Sequence, residues 1–340
     1  MRQFKKFSHI ENGYQTEYVN LVKQTIPGAI FVCQEKIHGT QSQLIIGRND
    51  SGLVEVGFGK RSGELQDGEN FYNWQYMLAA IQERAIKLFE LLEKDYDVSQ
   101  GVNAYGEFFG GGYTGVDPVK GIQKIQKGIQ YCPGHKFYGF DILIHGTGYL
   151  APEKAMSYYE ASGIFHAETL FKGTLDECLK YPVVFPTTIP GRLGLPEVPD
   201  NFAEGVVIKP VEPAYFPNGE RIIIKNKNPK FQEIGKSDRK LPKTEVIYSE
   251  EFTKIAEQIP SYVNENRLIS VRSHLGETTL PKDFGKILKE YNQDIIQELI
   301  MENSDNRRIY EDLPKSEQRQ INSIINKMCA DNIKETYMSL

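Results

Sequence analysis

Residues 29–47 read AIFVCQEKIHGTQSQLIIG. Two β-rich apolar runs, AIFVCQ and SQLIIG, flank a polar hinge, EKIHGTQ, that carries the turn-forming Gly39. Lys36 follows the first run and sits between Glu35 and that glycine. Taken alone, the pattern fits an exposed lysine at a strand end. It is followed, however, by further short runs of the same texture: LVEVGF, NAYGEFF, KFYGFDILI, EGVVIKP and RIIIKNK, punctuated by glycine and proline as far as about Lys230. Strands of this length imply sheets, and so an α+β body.

Helical spacing interrupts this texture at residues 72–96, where Leu78, Ile81, Ala85, Leu88, Leu91 and Leu92 recur on one face. A second helical pattern is expected at about residues 152–162. Beyond about residue 244 the spacing predicts helices near Glu250–Val263, Lys282–Met301 and Ser316–Met338, with Pro281 in a position that a helix's first turn accepts. The expected organisation is a body over residues 1–243 and a small all-helical domain over 244–340.

Composition sets the outer bounds. The 340 residues include 40 Lys plus Arg against 45 Asp plus Glu, a net charge of −5, with 40% hydrophobic and 11% aromatic residues. Aromatic content of this order excludes a disordered chain, and the negative balance argues against a protein that coats nucleic acid. The balance is uneven, though. Residues 221–243 hold eight basic side chains, Arg221, Lys225, Lys227, Lys230, Lys236, Arg239, Lys240 and Lys243, against Glu233 and Asp238, a local +6. Such a run is a solvated linker or one wall of a groove for polyanions.

Cys33, Cys132, Cys178 and Cys329 have no zinc-ligand spacing. The first fifteen residues lack a signal-like apolar region, and no run has the roughly 18 apolar residues of a membrane span. A reducing, cytoplasmic setting without a membrane partner is expected. Residues 110–115, GGGYTG, match a dinucleotide-binding pattern, but Pro118 and Gly121 interrupt the helix that should follow, so tight-turn glycines are the better reading. The GKS of residues 235–237 lacks the leading glycine of a phosphate-binding loop.

The order of motifs is more specific: EKIHGT, KRSG (Lys60, Arg61), YGEFFG (Glu107), FYGFDI (Phe140, Asp141), EGVVIKP (Glu204, Lys209) and KNKNPKF (Lys225, Lys227). This series resembles the covalent nucleotidyltransferase superfamily of ATP-dependent ligases and capping enzymes. In detail it is most similar to the bacteriophage-type RNA ligase 2 family, kin to RNA-editing ligases. The resemblance runs from the amino terminus to about Lys243, and less specifically through NRLISV and PKDFGKIL. It implies a nucleotidyltransferase domain of antiparallel sheets with flanking helices, followed by a helical domain that engages the nucleic-acid end.

The resemblance also implies an activity and its residues. Lys36 takes AMP from ATP as a lysyl-adenylate, AMP passes to an RNA 5′-phosphate, and a 3′-hydroxyl displaces it to seal a template-held break. Neutralising a lysine of pKa about 10.4 at pH 7 costs about 4.6 kcal/mol, a cost that neighbouring cations and bound Mg²⁺ reduce. Alternation along RIIIKNKN sets Ile223, Lys225 and Lys227 on one strand face, with Ile222 and Ile224 on the other. The resemblance gives the two lysines the α-phosphate and gives His38 a part in the steps after Lys36 is charged. Glu204 is the implied ligand of Mg²⁺, for which Mn²⁺ can substitute, since hard cations take carboxylate oxygens.

For the nucleotide, the resemblance places Glu107 on the ribose, Phe140 on the adenine face and Arg61 on phosphate, with Glu35, Ile37 and Asp141 in support. For the nucleic-acid end it implies Gln41, where the family more often has asparagine, with Lys209, Arg267 and Asp294. No obligate protein partner is expected; the location is that of a host cytoplasm if the chain is phage-encoded. A DNA ligase or capping enzyme is the competing enzyme reading, disfavoured because the residues after Lys243 leave no room for an OB-like β domain. A noncatalytic RNA-binding relative is the competing non-enzyme, disfavoured by the intact Lys36, Glu204, Lys225 and Lys227.

Overall fold

The computed structural model describes residues 2–117, 119–233, 239, 241 and 248–337. The GKS triplet, Lys236, Lys240, the expected boundary at Lys243 and Met338 lie outside these residues. The chain divides into two compact units, residues 1–230 and 231–340, ahead of the expected boundary.

The first unit contains two sheets. One comprises β1 (Glu11–Asn12), β2 (Ile30–Glu35), β9 (Thr169–Thr174), β10 (Gly205–Pro210) and β11 (Ile224–Lys227), in the order β1-β11-β10-β2-β9. The other comprises β3 (Thr40–Arg48), β4 (Val54–Lys60), β5 (Gly63–Glu64), β6 (Val102–Gly110), β7 (His135–Ile144) and β8 (Gly148–Tyr149), in the order β5-β4-β3-β6-β7-β8. Pairing is antiparallel throughout except between β1 and β11.

Strand alternation decides what each sheet buries. Phe31 and Cys33 of β2, Val206 and Ile208 of β10, and Ile222 and Ile224 cluster with Val19 and Val22 of helix α1 (Thr16–Thr25). Ile223, between the latter two, joins the opposite cluster with Phe7, Tyr105 and Leu143, against which Val207 and Phe140 pack. That second cluster takes residues from both sheets and fills the space between them. Helix α2 (Trp74–Asp95) covers β3 and β4, and α3 (Pro152–Ser162) packs on α2 and β7. The buried side of α2 includes Met77 and Phe89, whereas the expected Leu78 and Leu91 are half-buried. Two short helices, α4 (Leu175–Leu179) and α5 (Ile189–Arg192), complete this unit.

The second unit is helical in its described residues: α6 (Glu250–Ala256), α7 (Ile259–Tyr262), α8 (Glu265–Leu275), α9 (Phe284–Ile296) running into a π turn (Gln297–Met301), α10 (Ser304–Asp312) and α11 (Lys315–Tyr337). Its own core is built from residues such as Leu268, Ile287, Tyr291, Ile295, Ile321 and Ile325. The helix expected over Glu250–Val263 is broken into two, with Pro260 in the first turn of the second, where proline is accepted. Pro281 lies in the turn before α9 rather than in its first turn. No helix among the described residues is long and apolar enough to cross a membrane.

Candidate active site

Strand register brings together residues far apart in sequence. Val206 of β10 pairs with Glu35 of β2, and Gly205 pairs with Lys227 of β11, so the ends of three adjacent strands lie side by side. The Lys36 amide donates to the Gly205 carbonyl at 2.9 Å, and the Asn228 amide donates to the Glu204 carbonyl at 2.8 Å. Lys36, Glu204 and Lys227 therefore converge. Lys36 Nζ lies 2.9 Å from Glu204 Oε2, Lys227 Nζ 3.2 Å from Glu204 Oε1, and His38 Nδ1 3.6 Å from Glu204 Oε2.

The electrostatics follow from that packing. Burial alone would raise the Glu204 carboxyl, but the Lys36 and Lys227 ammoniums and His38 overcome it and hold the group far below the usual carboxylate range. Glu107 experiences the opposite balance: burial pushes its carboxyl up to about 8 despite the pull of Lys36. Glu107 stands within β6 rather than at its end, opposite Gln41, and accepts the Gly39 amide at 3.1 Å. Gln41 is half-buried, and its Nε2 has no hydrogen-bond partner among the described residues.

Other expected residues take definite places. Lys225, two positions before Lys227 in β11, pairs across the ladder with Val207, whose side chain packs between the sheets. Arg61 lies in the turn between β4 and β5, half-buried, at the sheet end where Lys60 pairs with Ser42. Ile37 is buried, and half-buried Phe140 packs edge-on against Phe7 at the margin of the cluster between the sheets. Glu35 is saturated: one oxygen accepts from the Thr187 hydroxyl, the other from the Thr188 amide at 2.9 Å and the Thr188 hydroxyl at 2.7 Å.

Three cations that the sequence placed at a surface are buried. Lys209 does not reach a surface where an RNA end could meet it; only 2% exposed, its ammonium donates to the Phe140 carbonyl at 2.6 Å and lies 3.4 Å from Asp141. Arg221 is no part of a polyanion groove, because it is buried and grips Asp141 with two bonds, at 2.7 and 3.2 Å. Arg267 is fully buried, bound to Asp294 at 2.6 Å and to Glu298 at 2.9 Å; Asn264, which caps α8, fixes its backbone. Arg267 and half-buried Asp294 thus tie the helical unit together, with the guanidinium inside and the carboxylate still partly open to solvent. Two other members of the basic run are paired with acids, Lys227 with Glu204 and Arg239 with Glu335.

Gly110 and Gly111 confirm the tight-turn reading: both have φ near +100°, and a Cβ on either would meet backbone atoms at 2.2–2.3 Å. Sequence reasoning missed Thr187, Thr188, Gln126 and Tyr131. The two threonines come from a loop without periodicity, and Gln126 and Tyr131 from the amide-rich tract IQKIQKGIQY, whose only signal is a polar residue recurring among buried isoleucines.

The sequence model of a family described as RNA ligase matches residues 29–227, and that of a family described as T4 RNA ligase 2 C-terminal matches residues 245–331. The chain is 29% identical over 264 residues to a mitochondrial RNA-editing ligase 1 of Trypanosoma brucei brucei, covering 68% of this chain and 56% of that protein. It is 24% identical over 329 residues to RNA-editing ligase 2 of the same organism, covering 82% and 78%. It thus spans just over half the length of the first of these relatives. Among solved structures, a Naegleria gruberi RNA ligase variant with ATP and Mn aligns with a TM-score of 0.45 at 18% identity, over 67% of this chain and 57% of that one. An archaeal ATP-dependent RNA ligase aligns at 0.42 and 15%, over 100% and 68%.

Proposed function

The chain belongs to the RNA ligase family, and on that premise we propose that it is an ATP- and Mg²⁺-dependent ligase that seals 5′-phosphate and 3′-hydroxyl RNA ends held on a template. The observation that carries this reading is the Lys36, Glu204 and Lys227 constellation, a nucleophile of the right type and a second cation on the two oxygens of one carboxylate.

Lys36 attacks the α-phosphorus of ATP; the bond to the β-phosphate oxygen breaks and pyrophosphate leaves. Lys225 and Lys227 hold the α-phosphate and stabilise the charge that develops on it. Phe140 stacks on the base, Glu107 holds the ribose and Arg61 contacts phosphate. The RNA 5′-phosphate oxygen then attacks the adenylate and returns Lys36, and the 3′-hydroxyl attacks that phosphate and expels AMP. His38, against Glu204, serves these later steps, with Gln41 at the RNA end. Glu35, saturated by its threonines, supports the strand end beneath Ile37 and Lys36.

Among the described residues no three His, Cys, Asp or Glu side chains gather into a metal cage. A single anionic carboxylate beside a phosphate site nevertheless suits Mg²⁺, which keeps most of its water and completes its shell with phosphate oxygens. Glu204 would hold the ion, which when bound supplies charge neutralisation at the α-phosphate. The four free thiols accord with a reducing, cytoplasmic setting.

The substrate is tested by comparing the sealing of nicked RNA duplexes, RNA–DNA hybrids and single strands. The reading expects nicks to be sealed fastest; faster joining of single strands would overturn the template-held substrate.

A further inference from the structure

Lys36 directly follows β2 in one sheet and Thr40 begins β3 in the other, so residues 37–39 are a crossover whose backbone polar groups belong to neither ladder. Buried groups of this kind need partners from elsewhere. Three side chains supply them. The His38 amide donates to the Tyr131 hydroxyl at 2.8 Å, the Gly39 amide to Glu107 at 3.1 Å, and Gln126 Nε2 to the Gly39 carbonyl at 3.1 Å. Gly39 lies so close to β6 that a Cβ would meet the Phe108 carbonyl oxygen at 2.4 Å.

Two of these three partners come from the excursion between β6 and β7. Its described residues form neither strand nor helix, yet Ile125, Gln126, Ile129 and Tyr131 are buried. Tyr131 packs edge-on against Phe109, at a centroid distance of 5.2 Å. Its neighbour Gln130 exchanges two hydrogen bonds with Asn201, at 2.8 and 2.6 Å, three residues before Glu204. The excursion thus holds both the crossover after Lys36 and the approach to Glu204.

We propose that this excursion is a clamp on the Lys36 crossover and that Tyr131 is its positioning residue, acting through the His38 backbone to set the His38 side chain against Glu204. The assignment rests on the ligase reading of Lys36 and His38, and deepens it. Misplacing a reacting group by about 1 Å costs on the order of 100-fold in rate, so a clamp remote from the chemistry still governs it.

Tyr131→Phe keeps the packed ring and removes only the hydroxyl that accepts the His38 amide. Hydrogen exchange followed by mass spectrometry on peptides spanning residues 36–41 should show the variant's crossover exchanging at least about tenfold faster, with other peptides unchanged, and sealing should fall about tenfold. In a His38→Ala background the same change should cost less than about twofold, because both act through one group. Gln126→Ala, which frees the Gly39 carbonyl instead, should give the same exchange signature should Tyr131→Phe fold poorly. Wild-type exchange in both variants, or a full tenfold loss added to that of His38→Ala, would overturn the clamp. A wild-type protein that forms no adenylate would overturn the ligase reading, while the exchange rates would still decide whether the clamp exists.

Discussion

Lys36 and Glu204, 168 residues apart in the chain, form a 2.9 Å ion pair in which Glu204 is almost wholly shielded and Lys36 retains partial access to solvent. The asymmetry has an energetic consequence. Glu204→Ala strips the carboxylate from two cations, one of them Lys227 with its side chain only 8% exposed, and losses of this type cost about 3–5 kcal/mol. Lys36→Ala leaves Glu204 still paired with Lys227 and should cost clearly less. Denaturant unfolding of the two variants measures this; equal losses would contradict the arrangement.

The two site carboxylates titrate in opposite directions. Glu107 rises from 4.5 to about 8, so between those values the folded chain holds a proton that the unfolded chain has released. Stability from this group therefore falls as pH rises through that window. Glu204, held low, contributes stability above pH 4.5 that is lost on acidification. Wild-type melting temperature should decline between about pH 5 and 8, and that of Glu107→Gln should lack this decline. An unchanged pH profile would show that Glu107 is ionised throughout.

Arg267 is buried with two carboxylate partners, and its loss removes the guanidinium that both of them share. Arg267→Ala should destabilise the helical unit by about 3–5 kcal/mol. Limited proteolysis should then cut within residues 248–337 before it cuts the sheets. A variant with normal protease resistance and impaired sealing would instead restore Arg267 as a contact to RNA.

The two units have separate cores, so a chain ending at Lys243 should fold. It should form the lysyl-adenylate at a rate within a few-fold of the whole chain and seal RNA far more slowly. Loss of adenylate formation in a folded truncation would contradict this division of labour.

The sheets were legible in the sequence because their strands alternate: the opposite fates of Ile222 and Ile223 follow directly from a period of two. β9 escaped because its residues are exposed or half-buried and carry no apolar pattern, and α10 because SDNRRIYED is almost wholly polar. At the candidate site, side chains on strand ends were legible, since register alone gathers Lys36, Glu204 and Lys227. Burial of charge was not. Lys209, Arg221 and Arg267 read as surface cations until tertiary packing supplied the carbonyl and carboxylates that hold them inside. Tyr131 and Gln126 act from an irregular excursion, where sequence spacing carries no geometric information.

The central claim is that Lys36 becomes covalently adenylylated. Incubating the protein with ATP labelled at the α-phosphate and Mg²⁺, followed by denaturing electrophoresis, tests it directly. The account predicts label on the wild-type chain, released by pyrophosphate and absent from Lys36→Ala; an unlabelled wild type, or undiminished label on Lys36→Ala, would contradict it.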